Sequence, residues 1–182
     1  PPGHLYSYQN VIFSLYDTIS GAATGKSFKN LMQEMIFDPL AMNDASVGKE
    51  AFEKNNNKAF PHSSNGRKYS FRKDNRGYFL TNPAAGINAS ITDMARYMNA
   101  MLGHSPEALD TATINDVLKP RVLSPLKWRY LRKWEDVESK HYALGWRIIG
   151  AYGSEFAYHG GYIRGYRSEI AVCPKEDFII VL

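Results

Sequence analysis

The sequence predicts an α+β fold, with helices in the first part of the chain and consecutive antiparallel strands at its end. Apolar residues recur at helical spacing in several segments before residue 120, whereas after residue 140 they alternate with polar residues. A Pro-Lys-Glu-Asp turn at 174–177 separates the last two alternating segments. A turn this short indicates an antiparallel hairpin, because a parallel β-α-β unit needs a long crossover.

The composition is that of an ordinary globular domain. Of the 182 residues, 44% are hydrophobic, 13% aromatic and 22% charged. This length predicts one domain with a sizeable core, divided into a helical and loop part at about 1–140 and a sheet part at about 141–182. The apolar run at 178–182 is typical of a strand still in progress, so we expect the domain to be truncated.

The same totals disfavour several classes of function. No apolar run approaches the ~20 residues that span a bilayer. The chain does not open with a signal peptide, but this excludes little because we expect both ends to be cut. The five histidines lack the short spacings of a zinc site, so we expect no metal. The single cysteine, Cys173, excludes an internal disulfide. A net charge of +4 permits anionic partners without requiring them.

The helices are predicted from apolar stripes and end signals. Residues 11–19 form one helix that Gly21 can end, and residues 28–36 form a second helix that stops at Asp38-Pro39. Residues 43–82 are polar and irregular, which predicts a long excursion that is partly loop. A third helix begins after Ser90, with Asp93 completing a capping box, and ends at Gly103.

The last third of the chain predicts strands. A short helix at 112–118 ends before Pro120, and the period then changes. Residues 142–148 alternate as a strand, a second strand begins at 156, and residues 166–173 alternate again before the turn. The strands are consecutive, so we expect them to pair antiparallel.

Two stretches resemble functional motifs without satisfying them. Residues 21–27 are similar to a phosphate-binding loop, but three residues separate the glycines instead of four, and a helix precedes them. We expect a helix-ending turn followed by Ser27 as a cap. Residues 119–140 interleave basic and aromatic side chains, as nucleic-acid surfaces do, but acidic residues dilute the charge. We therefore expect a solvated surface and no nucleic-acid partner.

The pair Tyr8-x-Asn10 is informative only through its setting, because Tyr97-x-Asn99 repeats it inside a predicted helix. Taken alone, Tyr8 would be a loop aromatic, Asn10 a helix cap and His159 a strand-end histidine. Tyr8 follows a turn and precedes a helix, however, and further short sequences follow in a fixed order. They are Thr-Gly-Lys-Ser-Phe at 24–28, Asp-Pro-Leu-Ala-Met at 38–42, Asn-Pro-Ala-Ala-Gly at 82–86, Ser-x-x-Asp-Met-Ala at 90–95, Tyr-Ala-Leu-Gly-Trp at 142–146, His-Gly-Gly at 159–161 and Gly-Tyr-Arg-Ser at 165–168.

This order and spacing resemble the class C β-lactamase family, which includes related D,D-peptidases, esterases and D-amino-acid peptidases. The resemblance covers nearly the whole chain and is weakest at 43–82 and 119–140. It implies a β-lactamase/transpeptidase-like fold and an acyl-enzyme mechanism that needs no cofactor. The implied substrate is a small molecule or peptide, namely a β-lactam, a D-Ala peptide or an ester. The implied location is periplasmic or secreted.

The resemblance also implies roles for six residues. Tyr8 would shuttle the proton in acyl transfer, since a phenol with an ordinary pKa near 10 needs neighbouring cations to act as a base. Asn10 would hold the substrate amide and a neighbouring lysine. His159 occupies the position where many members have lysine. Gly160 and Gly161 would let the substrate lie against the strand edge, and the Tyr162 backbone N–H would donate to the oxyanion.

The nucleophile that the family places in Ser-x-x-Lys, upstream of Tyr-x-Asn, is not found in that order. Only nine residues precede Asn10. The pattern recurs later from Ser46, Ser70 and Ser124, but each copy follows Tyr8 and has an unsuitable local sequence or a simpler explanation as a cap. We therefore expect the nucleophile on a segment outside these residues, and that segment is a possible partner of a chain that is inactive alone.

A non-catalytic peptidoglycan- or peptide-binding module of the same fold is the alternative. Histidine in place of lysine at 159 weakens the expected grip on a substrate carboxylate, although Arg164 or Arg167 could compensate. Among enzymes, the same histidine favours an esterase or D-peptidase over a β-lactamase. An upstream Ser-x-x-Lys would favour the enzyme, and its absence would favour the binding module.

Overall fold

The computed structural model describes residues 3–72, 81–124, 136–163 and 165–182. These residues form two compact units. The first unit comprises the described residues of 1–8, 97–160 and 169–182. The second comprises those of 9–96 and 161–168.

The helices in the described ranges are short except for the first and the fifth. They are α1 (Asn10–Thr24), α2 (Phe28–Met32), α3 (Lys49–Lys54), α4 (Asn82–Ala85), α5 (Ile91–Met101) and α6 (Thr111–Leu118). Helix α2 continues as a π-helical segment, Gln33–Phe37. Within the described ranges, no helix has both the length and the apolar character that a membrane span requires.

The strands form one large sheet and two small ones. They are β1 (Ser46–Val47), β2 (His62–Ser64), β3 (Tyr69–Phe71), β4 (Ile87–Asn88), β5 (Val122–Leu123), β6 (Val137–Tyr142), β7 (Arg147–Ala151), β8 (Ser154–Ile163), β9 (Tyr166–Cys173) and β10 (Phe178–Val181). The six-stranded sheet has the order β10-β9-β8-β7-β6-β5, and the pairs β10–β9, β8–β7, β7–β6 and β6–β5 are antiparallel. This arrangement confirms the predicted α+β class.

Helix α1 is longer than the sequence predicted. It continues through Gly21 and ends at Gly25, whose φ of 71° lies in the left-handed region. Glycine adopts this conformation without a steric penalty, so the terminating residue is the glycine with positive φ. The Ser27 hydroxyl then accepts a hydrogen bond from the Asn30 N–H and caps α2. The predicted helix end at Gly21 is therefore wrong, whereas the predicted Ser27 cap is confirmed.

The excursion at 43–82 contains more regular structure than its composition suggests. Strands β1 and β4 pair antiparallel, helix α3 follows β1, and β2 and β3 form a hairpin. The Gly165 carbonyl accepts a hydrogen bond of 3.0 Å from the His62 N–H. These strands have two or three residues each, which is too short for an alternating pattern to be recognised in sequence.

Helix α5 begins as predicted. The Ser90 hydroxyl accepts a hydrogen bond from the Asp93 N–H at 3.1 Å, and the Asp93 carboxylate accepts one from the Ser90 N–H at 3.4 Å. The same buried carboxylate accepts a bond from the Asp44 N–H at 3.2 Å. Asp93 therefore caps its own helix and also holds the segment that follows α2.

The predicted strand at 142–148 is wrong. Strand β6 ends at Tyr142, β7 starts at Arg147, and the Ala143 N–H donates to the Trp146 carbonyl across a turn in which Gly145 has a φ of 85°. Of the alternating apolar residues, Trp146 and Ile148 are buried but Leu144 is 51% exposed, so the alternation does not correspond to one face of a strand. The sheet also includes β5 and most of β6, which precede residue 141.

The core of the first unit lies between helices α5 and α6 and the sheet. It consists of buried side chains from both layers: Met98, Met101, Ile114, Ala143, Trp146, Ile148, Ala157 and Val172. Removal of these apolar side chains from water stabilises the packing of the helices on the sheet. Strands β7 and β8 are thereby fixed in place, and both contribute to the candidate site.

Candidate active site

Tyr8 directly precedes Gln9, the residue that caps α1. Gln9 has an extended backbone and is the N-cap, and its side chain accepts a hydrogen bond from the Val11 N–H at 3.1 Å. Asn10 is the first helical residue rather than the cap. The Tyr8 side chain is 48% exposed, so one part of it contacts protein and the rest is open to solvent.

Tyr8 and His159 lie together in the first unit. Their ring centroids are 6.0 Å apart, with the planes tilted by 32°. His159 follows Tyr158 on β8, and Tyr158 pairs with Arg147 of β7. Two residues that are 151 positions apart in the sequence (159 minus 8) are thus brought together, while their roles in catalysis stay predictions.

Arg147 is a site residue that the sequence analysis missed. Its guanidinium carbon lies 5.7 Å from the centroid of the Tyr8 ring, within the range of a cation–π interaction. Arg147 directly follows the Tyr-Ala-Leu-Gly-Trp segment at 142–146. A single arginine at a strand start gives no periodic or spacing signal, so the sequence alone could not have identified it.

The environment of His159 suppresses its protonation. Burial, and to a lesser extent the nearby positive charge of Arg147, lowers the pKa of His159 to about 4. Glu169 and a hydrogen bond involving the Gly160 backbone act in the opposite direction but are weaker. At neutral pH His159 is therefore uncharged, and the positive charge beside Tyr8 belongs to Arg147.

Two further tyrosines surround Arg147. The rings of Tyr6 and Tyr142 are 4.6 Å apart. Burial raises the pKa of Tyr142 to about 12, with Tyr6 and Tyr8 adding to the rise and Arg147 opposing it. Burial also raises the pKa of Tyr6, again opposed by Arg147. The enclosed Tyr6 hydroxyl makes no hydrogen bond of standard geometry, so the influence of Arg147 on it is mainly through charge.

The two glycines after His159 are explained by their neighbours on β9. A β-carbon on Gly160 would lie 2.4 Å from Glu169 Oε2 and 2.7 Å from the Tyr158 hydroxyl, which donates to that carboxylate. A β-carbon on Gly161 would lie 2.6 Å from the Ser168 hydroxyl oxygen. Contacts within the protein therefore favour glycine at both positions, whether or not a substrate approaches this edge.

The remaining predicted residues belong to the second unit. Asn10, Gly161 and Tyr162 fall within it, and the Tyr162 side chain is 75% exposed. Their roles toward a substrate stay predictions. Of the two arginines that could compensate for the histidine, Arg164 lies outside the described residues, and Arg167 is exposed on β9.

The first internal copy of Ser-x-x-Lys does not have the geometry of a nucleophile site. Ser46 lies in β1 and Lys49 begins α3, so one helical turn does not bring them together. The Ser46 hydroxyl oxygen accepts a hydrogen bond from the Asn88 amide at 3.4 Å instead. Gly48, with a φ of 93°, separates the two elements.

The other two copies are described only at their serines. Ser70 is exposed on β3, and Ser124 is buried with no hydrogen-bond partner for its hydroxyl among the described residues. Lys73 and Lys127 lie outside the described residues, as do residues 125–135 of the basic and aromatic stretch. Within the described ranges, no three histidine, cysteine or carboxylate side chains converge as metal ligands would.

Comparison with curated proteins gives relatives across the whole chain. It is 26% identical over 189 residues to an unguisins hydrolase of Aspergillus campestris, and 29% identical over 185 residues to a D-aminopeptidase of Gluconobacter oxydans. Both alignments cover 100% of this chain, but only 33% and 31% of those proteins. The chain thus spans about a third of the length of these curated relatives.

Comparison with solved structures supports the fold. The octameric penicillin-binding protein homologue from Pyrococcus abyssi matches with a TM-score of 0.81 at 20% identity, over 99% of this chain and 38% of that one. At this identity the match establishes a β-lactamase/transpeptidase-like fold and nothing finer. The family model described as Beta-lactamase matches residues 1–182, the full extent of the sequence. With the shared fold and the ordered segments from Tyr8 to His159, this match shows that the chain belongs to the Beta-lactamase family.

Proposed function

We propose that this chain contributes two walls of the acyl-transfer cleft of a serine hydrolase. Tyr8 lies on one wall and His159 on the other, with the Arg147 charge beside them. The observation that carries the proposal is the 6.0 Å contact of Tyr8 with His159 next to a cation 5.7 Å from the Tyr8 ring. Acyl transfer through a serine needs a group that accepts the hydroxyl proton, and a tyrosine serves when nearby positive charge stabilises its anion.

The proposed reaction proceeds through an acyl-enzyme. Tyr8 takes the proton of the serine hydroxyl as the serine attacks the carbonyl, and then delivers that proton to the leaving group. Asn10 orients the substrate amide, and the Tyr162 N–H donates to the oxyanion, as the family resemblance suggests. We assign the serine to a segment outside residues 1–182, because every Ser-x-x-Lys in this chain follows Tyr8 and the Ser46 copy also lacks the required helical geometry.

Among possible substrates, we propose amides of D-amino acids or D-residue peptides ahead of β-lactams and esters. The support is the similarity to the D-aminopeptidase of Gluconobacter oxydans over the whole chain. A second support is that His159 is uncharged at neutral pH, since burial and Arg147 lower its pKa to about 4. A neutral side chain at this position gives less attraction for the carboxylate of a β-lactam than a lysine would.

Two forms of the protein test the proposal. The 182-residue chain and a longer chain that includes the region encoded upstream are assayed with a chromogenic cephalosporin, a p-nitrophenyl ester and a D-alanine p-nitroanilide. We expect only the longer chain to turn over substrate and to be labelled by a fluorophosphonate. Of the three substrates, we expect it to hydrolyse the D-alanine p-nitroanilide fastest. Labelling of the 182-residue chain by itself would contradict the assignment of the serine to another segment.

The Tyr8 hydroxyl is tested by Tyr8→Phe in the longer chain. We expect kcat to fall by roughly 10²–10⁴-fold, because proton transfer is lost while the ring is retained. The matched control is Tyr97→Phe, since Tyr97-x-Asn99 is the second copy of the pair and lies in α5. Equal activity of the two variants, with equal thermal midpoints, would show that Tyr8 has no role in proton transfer.

A binding module is the second candidate, and the neutral His159 is the observation that favours it. If the upstream sequence lacks Ser-x-x-Lys, and the longer chain binds D-Ala peptides without turnover, the protein is a binder. Calorimetric titration with a D-Ala-D-Ala peptide and with its L-Ala counterpart separates specific binding from non-specific binding.

A further inference from the structure

Arg147 is a charged residue of the first unit that is only partly exposed to water. No carboxylate among the described residues lies within ion-pair distance of its guanidinium, whereas Arg121 in the same unit pairs with Asp116 at 2.8 Å. Arg147 is half-buried at the start of β7, between Tyr142 of β6 and Tyr158 of β8 in the strand register. Removing a cation partly from water without a counterion costs free energy, and contact with the Tyr8 ring offsets part of that cost.

Ionisable side chains from several neighbouring elements surround Arg147. The segment before α1 contributes Tyr6 and Tyr8, β6 contributes Tyr142, and β8 contributes His159. Glu169 of β9 acts on His159 and accepts a hydrogen bond from the Tyr158 hydroxyl. Burial raises the pKa values of Tyr6 and Tyr142 and so makes their phenolate forms harder to reach than in an ordinary tyrosine. Tyr8, at 48% exposure, is the tyrosine of this group that solvent and a substrate can reach.

We propose that Arg147 is a positioning residue for Tyr8, whose fixed positive charge beside the ring stabilises the phenolate form of Tyr8 during proton transfer. The proposal rests on the proposed function in so far as Tyr8 is the proton shuttle. In that step the O–H bond of the attacking serine breaks and an O–H bond forms on the Tyr8 phenolate. The proton then passes to the leaving group, and Tyr8 returns to phenolate.

An arginine can supply a permanent positive charge beside Tyr8, whereas the neighbouring histidine cannot. Its guanidinium stays charged at all relevant pH values, and its planar shape stacks on aromatic faces. His159, in contact with the same ring, is uncharged at neutral pH and cannot supply the charge. Because the attraction between the guanidinium and the ring increases when the phenol loses its proton, Arg147 favours the ionised state without contacting the substrate.

The electrostatic part of the proposal is tested on the 182-residue chain, where no turnover is needed. Carbon-13 tyrosine NMR follows the ionisation of each ring, and Tyr8→Phe assigns the Tyr8 signal. In Arg147→Gln we expect the Tyr8 ring to ionise about one pH unit higher than in the unmodified chain. Arg147→Lys should restore part of the shift, and Arg121→Gln should leave the signal unchanged. An unchanged Tyr8 titration in a folded Arg147→Gln protein would overturn the proposal.

The catalytic part is tested on the longer chain through the pH dependence of kcat. We expect Arg147→Gln to lower kcat roughly 10- to 100-fold and to move the acid limb of the profile upward by about one unit, with KM changed by less than about threefold. A raised KM with an unchanged kcat profile would mean that Arg147 binds the substrate instead, and would overturn the proposal. If the longer chain shows no turnover, the proposed function fails while the NMR titration still decides the role of Arg147.

Discussion

At the scale of single residues, His159 shows how strongly position changes chemistry. An ordinary histidine titrates near pH 6.5, but burial, followed by the charge of Arg147, lowers the pKa of His159 to about 4. Between these two values the unfolded chain binds a proton that the folded chain does not. The folded state is therefore favoured above about pH 6.5, and this contribution is lost as the pH falls toward 4.

The lowered pKa of His159 predicts that this one residue makes the free energy of unfolding depend on pH. Between pH 7 and pH 5, the free energy of unfolding should fall by about 1 to 2 kcal/mol more in the unmodified chain than in His159→Gln. Urea denaturation of both proteins at the two pH values measures the difference. His104→Gln is the matched control, because His104 is exposed and pairs with Asp177 on the surface. Parallel curves for the unmodified chain and His159→Gln would contradict the expectation.

At the scale of secondary-structure elements, α5 is the helix most firmly held at its start. The Asp93 side chain is fully buried and accepts hydrogen bonds from the Ser90 and Asp44 N–H groups. Arg96, one turn further along α5, lies 3.4 Å from the same carboxylate and donates to the Ala41 carbonyl. One carboxylate thus connects the start of a helix to a segment 49 residues earlier in the chain.

Loss of this carboxylate should destabilise the second unit. We expect Asp93→Ala to lower the free energy of unfolding by about 2 to 4 kcal/mol, because it removes a cap and leaves buried N–H groups without partners. Asp93→Asn keeps an acceptor and should cost less. Asp116→Ala, at an exposed position paired with Arg121, should cost under about 1 kcal/mol. Thermal and urea denaturation measure all three; an Asp93→Ala loss no larger than that of Asp116→Ala would show that the carboxylate is dispensable.

At the scale of the whole molecule, the surface of α1 is unusual for a globular protein. The buried residue of this helix is Ser20. Six large apolar or aromatic side chains on it are between 49% and 64% exposed: Val11, Ile12, Phe13, Leu15, Tyr16 and Ile19. A helix that is apolar on most of its circumference is typical of one surrounded by other protein. The relatives are about three times as long as this chain, so they contain further polypeptide.

The exposed surface of α1 predicts self-association of the 182-residue chain. Replacement of Ile12 and Ile19 by lysine should reduce the association seen in sedimentation velocity, because the apolar area available for contact becomes charged. Leu144→Lys is the matched control, since Leu144 is 51% exposed on the turn between β6 and β7. Hydrogen exchange of α1 should slow in the longer chain. Association that is insensitive to the lysine substitutions, with equal exchange in both chains, would contradict this prediction.

The sequence by itself determined the features that depend on neighbouring residues. Three local features were predicted correctly: the capping box at Ser90, the helix stop at Gly103 and the hairpin turn at 174–177. They were predictable because caps and turns involve atoms only a few residues apart. The fold class followed from the change of hydrophobic period along the chain. The family followed from the order of the segments, which no single motif could have indicated.

The tertiary structure decided what depends on the pairing of distant strands. Alternation at 142–148 predicted a strand, but the chain turns there because Gly145 adopts a positive φ and Trp146 enters the core. Helix α1 continues through Gly21 and ends at Gly25, which has the left-handed backbone conformation that terminates a helix. The sequence offers both glycines and does not show which of them adopts this conformation. Arg147 reaches Tyr8 only because β7 lies beside β8, and burial in that arrangement removes the charge of His159. Charge and solvent access at a site are properties of its surroundings, and the surroundings of Tyr8 are assembled from opposite ends of the chain.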